Sequence, residues 1–425
     1  DELVAQGWLR CESKRGTFVS DKILSIHALN RNKKQATVKE ANALYLPSLT
    51  LDEIRLDEAL PESKLVPIET LSRAMRHALI SATKPTHLPT QNTQGTLALR
   101  EAITLMLNME RGLHTKPDYI CTTRSLQMSI FTVAKSLLKA GDNVVIEAPC
   151  CPKVRDAFVH CGANIISIQH HQHGIDLTDL EQLCMTHKIA AIYVTPQHHI
   201  PTTTVMSEKQ KQQLLMLTER YQFKIIENDD AHELNFLNTP NLPIASAKKP
   251  KNVIYIGNLS KVLPAGLNVS YIVANNDKFI QACAEHLALI DQQSNAINEL
   301  CVAELLQKGE IKKHLLRTKN FYGTRRAWLG TQLTQVFEND ITFELPQNGL
   351  AVWLNIPTHY HFNLITKHLD ALKLSLPYTT EMSTANTYGD GLRIGFANLN
   401  EQEIVAGLIK LKAALNQTLK KLLTA

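Results

Sequence analysis

The residues best placed for covalent chemistry lie in the stretch 252–273, NVIYIGNLSKVLPAGLNVSYIV. Val253, Ile254, Tyr255 and Ile256 are expected to form a buried strand. Gly257-Asn258 should turn the chain, leaving Lys261 just beyond the strand end. An amine held there is partly desolvated, gives up its proton more readily and can attack a carbonyl. Histidines form the other reactive group. His170, His171 and His173 fall at the end of one predicted strand, and His198 and His199 lie in the TPQHHIPTT segment after another. Clustered imidazoles can bind metals, but no carboxylate or cysteine at ligand spacing accompanies them, so no metal is expected. The eight cysteines form no CxxC pair, which argues against a zinc ribbon. Scattered thiols in a chain of 425 residues suggest a reducing, cytoplasmic setting.

These residues need a scaffold that brings strand ends together. Short apolar strands (YICTT, NVVIEA, NIISIQ, AAIYVTP, FKIIEND, NVIYIG and SYIVA) alternate with helices predicted between Leu126 and Leu138, Lys153 and His160, Leu177 and Thr186, and Ser207 and Tyr221. Such alternation predicts an α/β domain with a large, mostly parallel sheet and helices on both faces. Its ligands would sit at the carboxyl ends of the strands. Before it, Ile68, Leu71, Met75 and Leu79 recur at helical spacing, and QGTLALREAITLMLNMERGL reads as a second amphipathic helix between Gly95 and Gly112. After it come a long helical stretch over residues 277–335, broken near Gly309, and a smaller α+β segment. That segment contains FELPQNGLAVWLNIP, a helix near Phe362–Leu372, the strand GLRIGFA and a last helix from Glu401. The net charge of +5, from 45 basic and 40 acidic side chains, is too small to imply nucleic-acid or membrane binding by itself. No apolar run approaches the roughly 20 residues of a membrane span.

The first twenty residues, DELVAQGWLRCESKRGTFVS, read as a short helical end followed by a hairpin closing on Lys14, Arg15, Gly16 and Thr17. A hairpin with a basic tip resembles the wing of a GntR-type winged helix. The DNA-reading helix-turn-helix is then expected upstream of Asp1. Residues 21–55 are polar, include Arg31-Asn32-Lys33-Lys34, and read as a linker. The expected organisation is thus a wing remnant over 1–20, a linker over 21–55, a large domain over 56–300 and a small domain over 301–425.

The order of these elements, together with QGTLALREAI, RSLQM, LLKAGDNVVIEAPCCP, YVTPQHHIPTT, IIENDDAHEL, YIGNLSKVLPAGLNVSYIV and GLRIGFA, resembles the MocR group of GntR-type transcriptional regulators. These join a winged helix to a domain similar to the fold-type I, pyridoxal-phosphate-dependent aminotransferases, a three-layer αβα large domain with a smaller α+β domain. The resemblance implies a homodimer that binds DNA, pyridoxal 5'-phosphate and an amino-acid or cofactor-related small molecule. It places Lys261 at the lysine that forms the Schiff base. Arg393 stands where an arginine takes a substrate carboxylate, a task suited to a guanidinium fork.

Elsewhere the chain departs from the pattern. Asn228 stands in place of the acid that pairs with the pyridine nitrogen, and an amide cannot keep that nitrogen protonated as a carboxylate does. Asp230 replaces a tyrosine that meets the ring oxygen, and Cys151 replaces the tyrosine stacked on the ring. Asp229, one residue along, would substitute for the missing acid only if the strand end shifted. In the phosphate cup Ser125 is retained, Leu126 lacks the usual hydroxyl, Asn258 replaces a small hydroxyl residue and Asn268 replaces an arginine. A hydrogen bond to a charged group contributes about 1.5–3 kcal/mol, so losing two or three should weaken cofactor binding roughly 10³-fold or more. Two readings follow. One is a regulator's ligand-sensing or dimerisation module with weak or altered cofactor binding. The other is a working aminotransferase acting on amino acids through Lys261. A scaffold with an inactive pocket is a third.

Overall fold

The computed structural model describes residues 2–6, 8–20, 53–57, 62–83, 93–171, 174–230, 232–237, 241–248, 250–291, 295–338, 340–357, 359–360, 362–376 and 391–420. His173, Ala231 and the basic run at 31–34 lie outside them. The chain divides into two compact units, Asp1–Leu51 and Asp52–Ala425.

In the first unit, α1 (Glu2–Ala5) precedes an antiparallel hairpin of β1 (Leu9–Glu12) and β2 (Gly16–Val19), with Leu9 opposite Val19 and Glu12 opposite Gly16. Lys14 adopts φ +65° and Gly16 φ +110°, so the tip closes through the left-handed region. Lys14, Arg15, Gly16 and Thr17 are all exposed, as the hairpin reading requires.

The second unit begins with β3 (Ile54–Arg55), α2 (Ile68–Ala82) and α3 (Leu97–Glu110). The alternating region then supplies β4 (Ile120–Thr123), α4 (Leu126–Leu137), β5 (Asn143–Ala148), α5 (Pro152–His160), β6 (Asn164–His171), β7 (Gly174–Ile175), α6 (Leu177–Thr186), β8 (Ile189–Val194), α7 (Glu208–Tyr221), β9 (Lys224–Asp229), β10 (Val253–Asn258) and β11 (Ser270–Ala274). They form an eight-stranded sheet in the order β4-β11-β10-β9-β8-β5-β6-β7. The pairs from β10 through β9, β8 and β5 to β6 are parallel, whereas β11 runs antiparallel to both its neighbours.

Strand alternation divides the core into two faces. Ile225, Tyr255 and Tyr271 join a cluster with residues of α2, α3, α6 and α7 and of α9 (Ala296–Gln307). Ile226, Ile256 and Ile272 point the other way, into a cluster with α4, α5 and α8 (Asp277–Ile290). This is the expected three-layer αβα arrangement.

The apolar stripe of α2 differs from its sequence reading. Leu71, Ala74 and Ala78 are buried, whereas Ile68 and Leu79 are exposed. The small side chains face α9, because close helix packing favours alanine at the contact.

A third core lies around α10 (Glu310–Phe337), β12 (Thr342–Glu344), β13 (Ala351–Asn355), α11 (Phe362–Ala371), β14 (Leu374–Ser375), β15 (Gly391–Gly395) and α12 (Glu401–Lys420). Leu56 is buried within this cluster, and β3 pairs in parallel with β14. The segment preceding α2 is therefore joined to the C-terminal layer. Among the described residues no helix is long and apolar enough to cross a membrane.

Candidate functional site

The carboxyl ends of β4, β9 and β10 converge with the start of α4, and hydroxyl groups hold them together. Ser129 Oγ lies 2.7 Å from Thr123 Oγ1 and 2.9 Å from Ser270 Oγ, and Ser270 donates to the Gly257 carbonyl at 2.7 Å. This chain of bonds links α4 to β4, β11 and β10, and so fixes the helix start relative to the turn carrying Lys261. Ser125 is the N-cap of α4, its hydroxyl accepting from the Met128 N–H at 3.2 Å. Leu126 opens the helix and is half-buried. Lys261 is half-buried just beyond β10.

The structure shows how each departure from the resembled pattern is accommodated. Asn228 is 2% exposed and donates its amide N–H to the Tyr193 hydroxyl at 2.9 Å, and its Oδ1 has no hydrogen-bond partner among the described residues. Burial pushes the Tyr193 hydroxyl well above its ordinary pKa, with Cys150 and Cys151 adding to the effect. Asp230 accepts from Asn258 Nδ2 at 3.2 Å. Asn258 also donates to Ser260 Oγ at 2.7 Å and accepts the Ser260 N–H at 2.9 Å. Asn228 thus meets a phenol, and Asn258 bridges the Asp230 carboxylate and Ser260. Asn268 lies at the end of the turn before β11, its Oδ1 also without a hydrogen-bond partner. Beside it Arg124, Thr122 and Met128 line a cavity of only about 40 Å³. Cys151 is the half-buried N-cap residue of α5.

Asp229 is not available to replace Asn228. Alternation along β9 sends it to the opposite face of the sheet, where it is fully buried. There Arg111 donates Nε and Nη2 to its Oδ2 at 3.1 and 2.7 Å, and the Tyr255 hydroxyl donates to the same atom at 2.7 Å. Burial raises the Asp229 carboxyl, but Arg111 and His232 more than offset this and hold it below the ordinary value. Arg111 had no distinguishing mark in the sequence, since its partner lies 118 residues away.

Arg393, on β15, is 1% exposed and is already engaged. It donates Nη1 to the Pro201 carbonyl at 2.7 Å, and its Nη2 lies 2.8 Å from His198 Nε2. Gly349 adopts φ +77° directly against His198, and a Cβ built there would lie 2.7 Å from Nε2.

Two of the histidines meet a carboxylate that the sequence spacing did not show. The fold supplies the missing carboxylate, Glu147 at the end of β5. Its Oε1 lies 3.0 Å from His170 Nδ1 and its Oε2 3.8 Å from His199 Nε2. The two imidazoles stack with centroids 3.6 Å apart and planes 7° from parallel. Burial, with His170, Arg393 and His198 nearby, pushes His199 well below the usual imidazole range. Glu147 carried no sequence signal of this role; the parallel pairing of β5 with β6, which sets Glu147 opposite Ile168, is what brings it beside His170.

No protein-family model matches the chain. It is 23% identical over 377 residues to aromatic-amino-acid aminotransferase 1 of Thermococcus litoralis, covering 88% of this chain and 90% of that protein. It is 22% identical over 425 residues to an uncharacterized HTH-type transcriptional regulator of Bacillus subtilis, YdfD, covering 97% of this chain and 86% of that one. Among solved structures it superposes on the multiple-substrate aminotransferase of Thermococcus profundus with a TM-score of 0.79 at 22% identity, over 88% of this chain and 93% of that one. The fold is that of a fold-type I aminotransferase. Its relatives include both aminotransferases and HTH-type regulators.

Proposed function

We propose that the chain is the ligand-sensing and dimerising part of a GntR-type transcriptional regulator of the MocR group, with a pyridoxal-phosphate pocket that binds its cofactor weakly or no longer. The observation that carries this reading is the pairing of Asp230 with Asn258, beside an uncharged Asn228. The residues present do not fit pyridoxal phosphate as the resembled family holds it. By the resemblance, Asn228 would offer the ring nitrogen no carboxylate, and Asp230 would bring an acid where the pattern has a tyrosine. Asn268 brings no positive charge to the dianion.

The basic hairpin tip at Lys14 and Arg15 supports a DNA-binding role, as does a match to an HTH-type regulator over 97% of this chain. Exposed Ile68, Leu79 and Ile80 on α2, and Leu97, Leu105 and Met109 on α3, support a homodimer, since clustered exposed apolar side chains mark association surfaces. Arg393 remains suited to a small-molecule carboxylate. Such a ligand would take the guanidinium in competition with His198.

The second reading, a working aminotransferase, is favoured by Lys261 at its half-buried turn and by the buried Arg393. Visible absorbance of the purified protein, with and without added pyridoxal phosphate and with Lys261→Ala as control, separates the two. The expected result at micromolar cofactor is no band that depends on Lys261. A saturable, Lys261-dependent band refutes the eroded pocket, and amino-acid turnover would then establish the enzyme. Chromatin immunoprecipitation of the protein expressed from its own gene tests the regulator. Recovery of no enriched DNA refutes it.

A further inference from the structure

The small sheet of β12, β13 and β15 has one face that the core does not use. Val352, Leu354, Leu392 and Ile394 point into the third core. Alternation puts Glu344, Trp353, Asn355, Gly391 and Arg393 on the other face. Glu344 stands across from Trp353, Trp353 from Arg393, and Asn355 from Gly391. Arg393 holds the loop 195–204 through Pro201 and His198. Between that loop and the rest of this face a cleft of about 730 Å³ remains. Its volume lies in the range of small-molecule sites.

One wall of the cleft is an aromatic platform. Trp353 is half-buried, and its indole lies over Gly391, where an added Cβ would come within 1.9 Å of Cζ2, 2.2 Å of Cε2 and 2.7 Å of Nε1. Glycine at 391 is what lets the ring lie down on the sheet. Glu344 and Asn355 line the cleft beside it, and one amide N–H of Asn355 goes to Thr342 Oγ1 at 3.3 Å.

The opposite wall carries the hydroxyls of Thr202 and Thr204, and the fold holds both in place. Thr204 Oγ1 meets His170 Nε2, Thr202 Oγ1 lies 2.7 Å from His199 Nδ1, and the two hydroxyls are 3.0 Å apart. Glu147 anchors this network from behind. Its Oε1 lies 3.0 Å from His170 Nδ1, and its Oε2 accepts the Thr195 N–H at 3.1 Å. The stacked imidazoles brace one another. A hydroxyl has one donor and two acceptor positions. With two neighbours each, Thr202 and Thr204 both keep one position for a ligand.

We propose that this cleft binds an uncharged saccharide, with its C–H face on Trp353 and its hydroxyls shared among Glu344, Asn355 and the threonines. Among the described residues that line the cleft there is no lysine or arginine, and Glu344 is the one carboxylate. His170 is committed on both nitrogens, to Glu147 and Thr204. An anionic ligand would therefore meet an acid with no fixed cation to offset it. A wholly apolar ligand would strip water from Glu344 and the hydroxyls and return no hydrogen bond. A neutral polyol returns hydrogen bonds to these groups and still offers C–H surface to the indole. None of the lining residues was matched to pyridoxal phosphate, so the proposal is independent of cofactor occupancy.

The test is calorimetry and tryptophan fluorescence of the intact chain, titrated with glucose, galactose, N-acetylglucosamine, maltose and cellobiose. The expected result is saturable binding of at least one of them, with a dissociation constant of about 1 mM or tighter and a change in emission. The 6-phosphate of the sugar that binds should bind at least about 10-fold more weakly. Glu344→Gln and Trp353→Leu should each weaken binding by about 10-fold or more, as should Gly391→Ala, which lifts the indole off the sheet. Trp8→Phe, at an exposed indole on the hairpin, should leave it unchanged. Circular dichroism checks that each variant is folded. Should Trp353→Leu or Gly391→Ala not fold, Glu344→Gln, at an exposed strand position, still decides. Absence of saturable binding of every sugar up to about 10 mM overturns the proposal. So does a phosphorylated sugar that binds as tightly as its neutral form, and so does an affinity that survives intact in folded Glu344→Gln.

Discussion

Replacing Arg111 by methionine tests the claim that Asp229 is committed to structure and is closed to a ligand. Arg111→Met keeps much of the side-chain volume but removes both N–H donors from Asp229 Oδ2, at 3.1 and 2.7 Å. The carboxylate, 0% exposed, would keep the Tyr255 hydroxyl at 2.7 Å and His232 Nδ1 at 3.7 Å. Breaking one side of a buried ion pair costs about 3–5 kcal/mol, because the remaining charge stays buried and uncompensated. Urea unfolding at neutral pH should therefore show a loss of at least about 3 kcal/mol, roughly 100-fold in the unfolding constant. Adding Asp229→Asn should recover a large part of it, since the buried charge is gone. The double-mutant cycle would then give a clear coupling energy.

The pH dependence has a definite sign. In the native protein the Asp229 carboxyl is held below its ordinary value. Its stabilising contribution is thus present above the unfolded value of about 3.9 and is lost as pH falls through the lower, folded value. In Arg111→Met, burial is no longer offset and the folded value rises above the unfolded one. The gap between the two proteins should narrow as pH falls from neutral toward 4. A loss below about 1 kcal/mol, or a gap that does not change with pH, refutes the assignment of a buried, paired carboxylate.

Restoring the family's residues in Asn228→Asp, Asp230→Tyr and Asn268→Arg together should tighten pyridoxal-phosphate binding by at least about 100-fold over the unsubstituted chain, read from Lys261-dependent absorbance. Gly349→Ala forces a side chain into positive φ and against the His198 ring. A loss of about 2 kcal/mol in urea unfolding is expected, from the strained backbone and the displaced imidazole. Ser125→Ala removes the N-cap of α4 and should cost about 1 kcal/mol, measured in the same way.

The seven strands of the alternating region were legible because each is a short apolar run bounded by turn residues, and all but β6 are buried on both faces, which leaves little choice of structure. The hairpin at Lys14–Thr17 was equally legible, since glycine and a basic tip mark a turn locally. Elements with little local signal were harder to read. β3 and β14 are two residues each and pair with one another across 320 residues of chain, with no local signal in either segment. The stripe of α2 was misread because alanine carries no hydrophobic weight in the pattern yet is what allows α9 to approach. Of the residues named from the resemblance, Ser125 and Leu126 open α4, Asn258 ends β10 and Arg393 lies within β15. Glu147 and Arg111 could not be placed, because their chemistry comes from partners that only the folded sheet brings near. For Glu147 the partners are His170 and His199, which lie 23 and 52 positions on; for Arg111 the partner is Asp229.

The loop 195–204 has a mechanical consequence. Arg393 of the C-terminal layer is bonded to it twice, through Pro201 and His198, and Asn348 donates to the Gln197 carbonyl at 2.7 Å. Those three bonds latch the C-terminal layer onto the sheet. With two of them made by a guanidinium, these bonds together contribute on the order of 5 kcal/mol. A ligand that enters by parting the two layers would have to wait for the latch. One that substitutes its own carboxylate for His198 on Arg393 would release part of it, so arrival of the ligand and loosening of the two layers would be a single event.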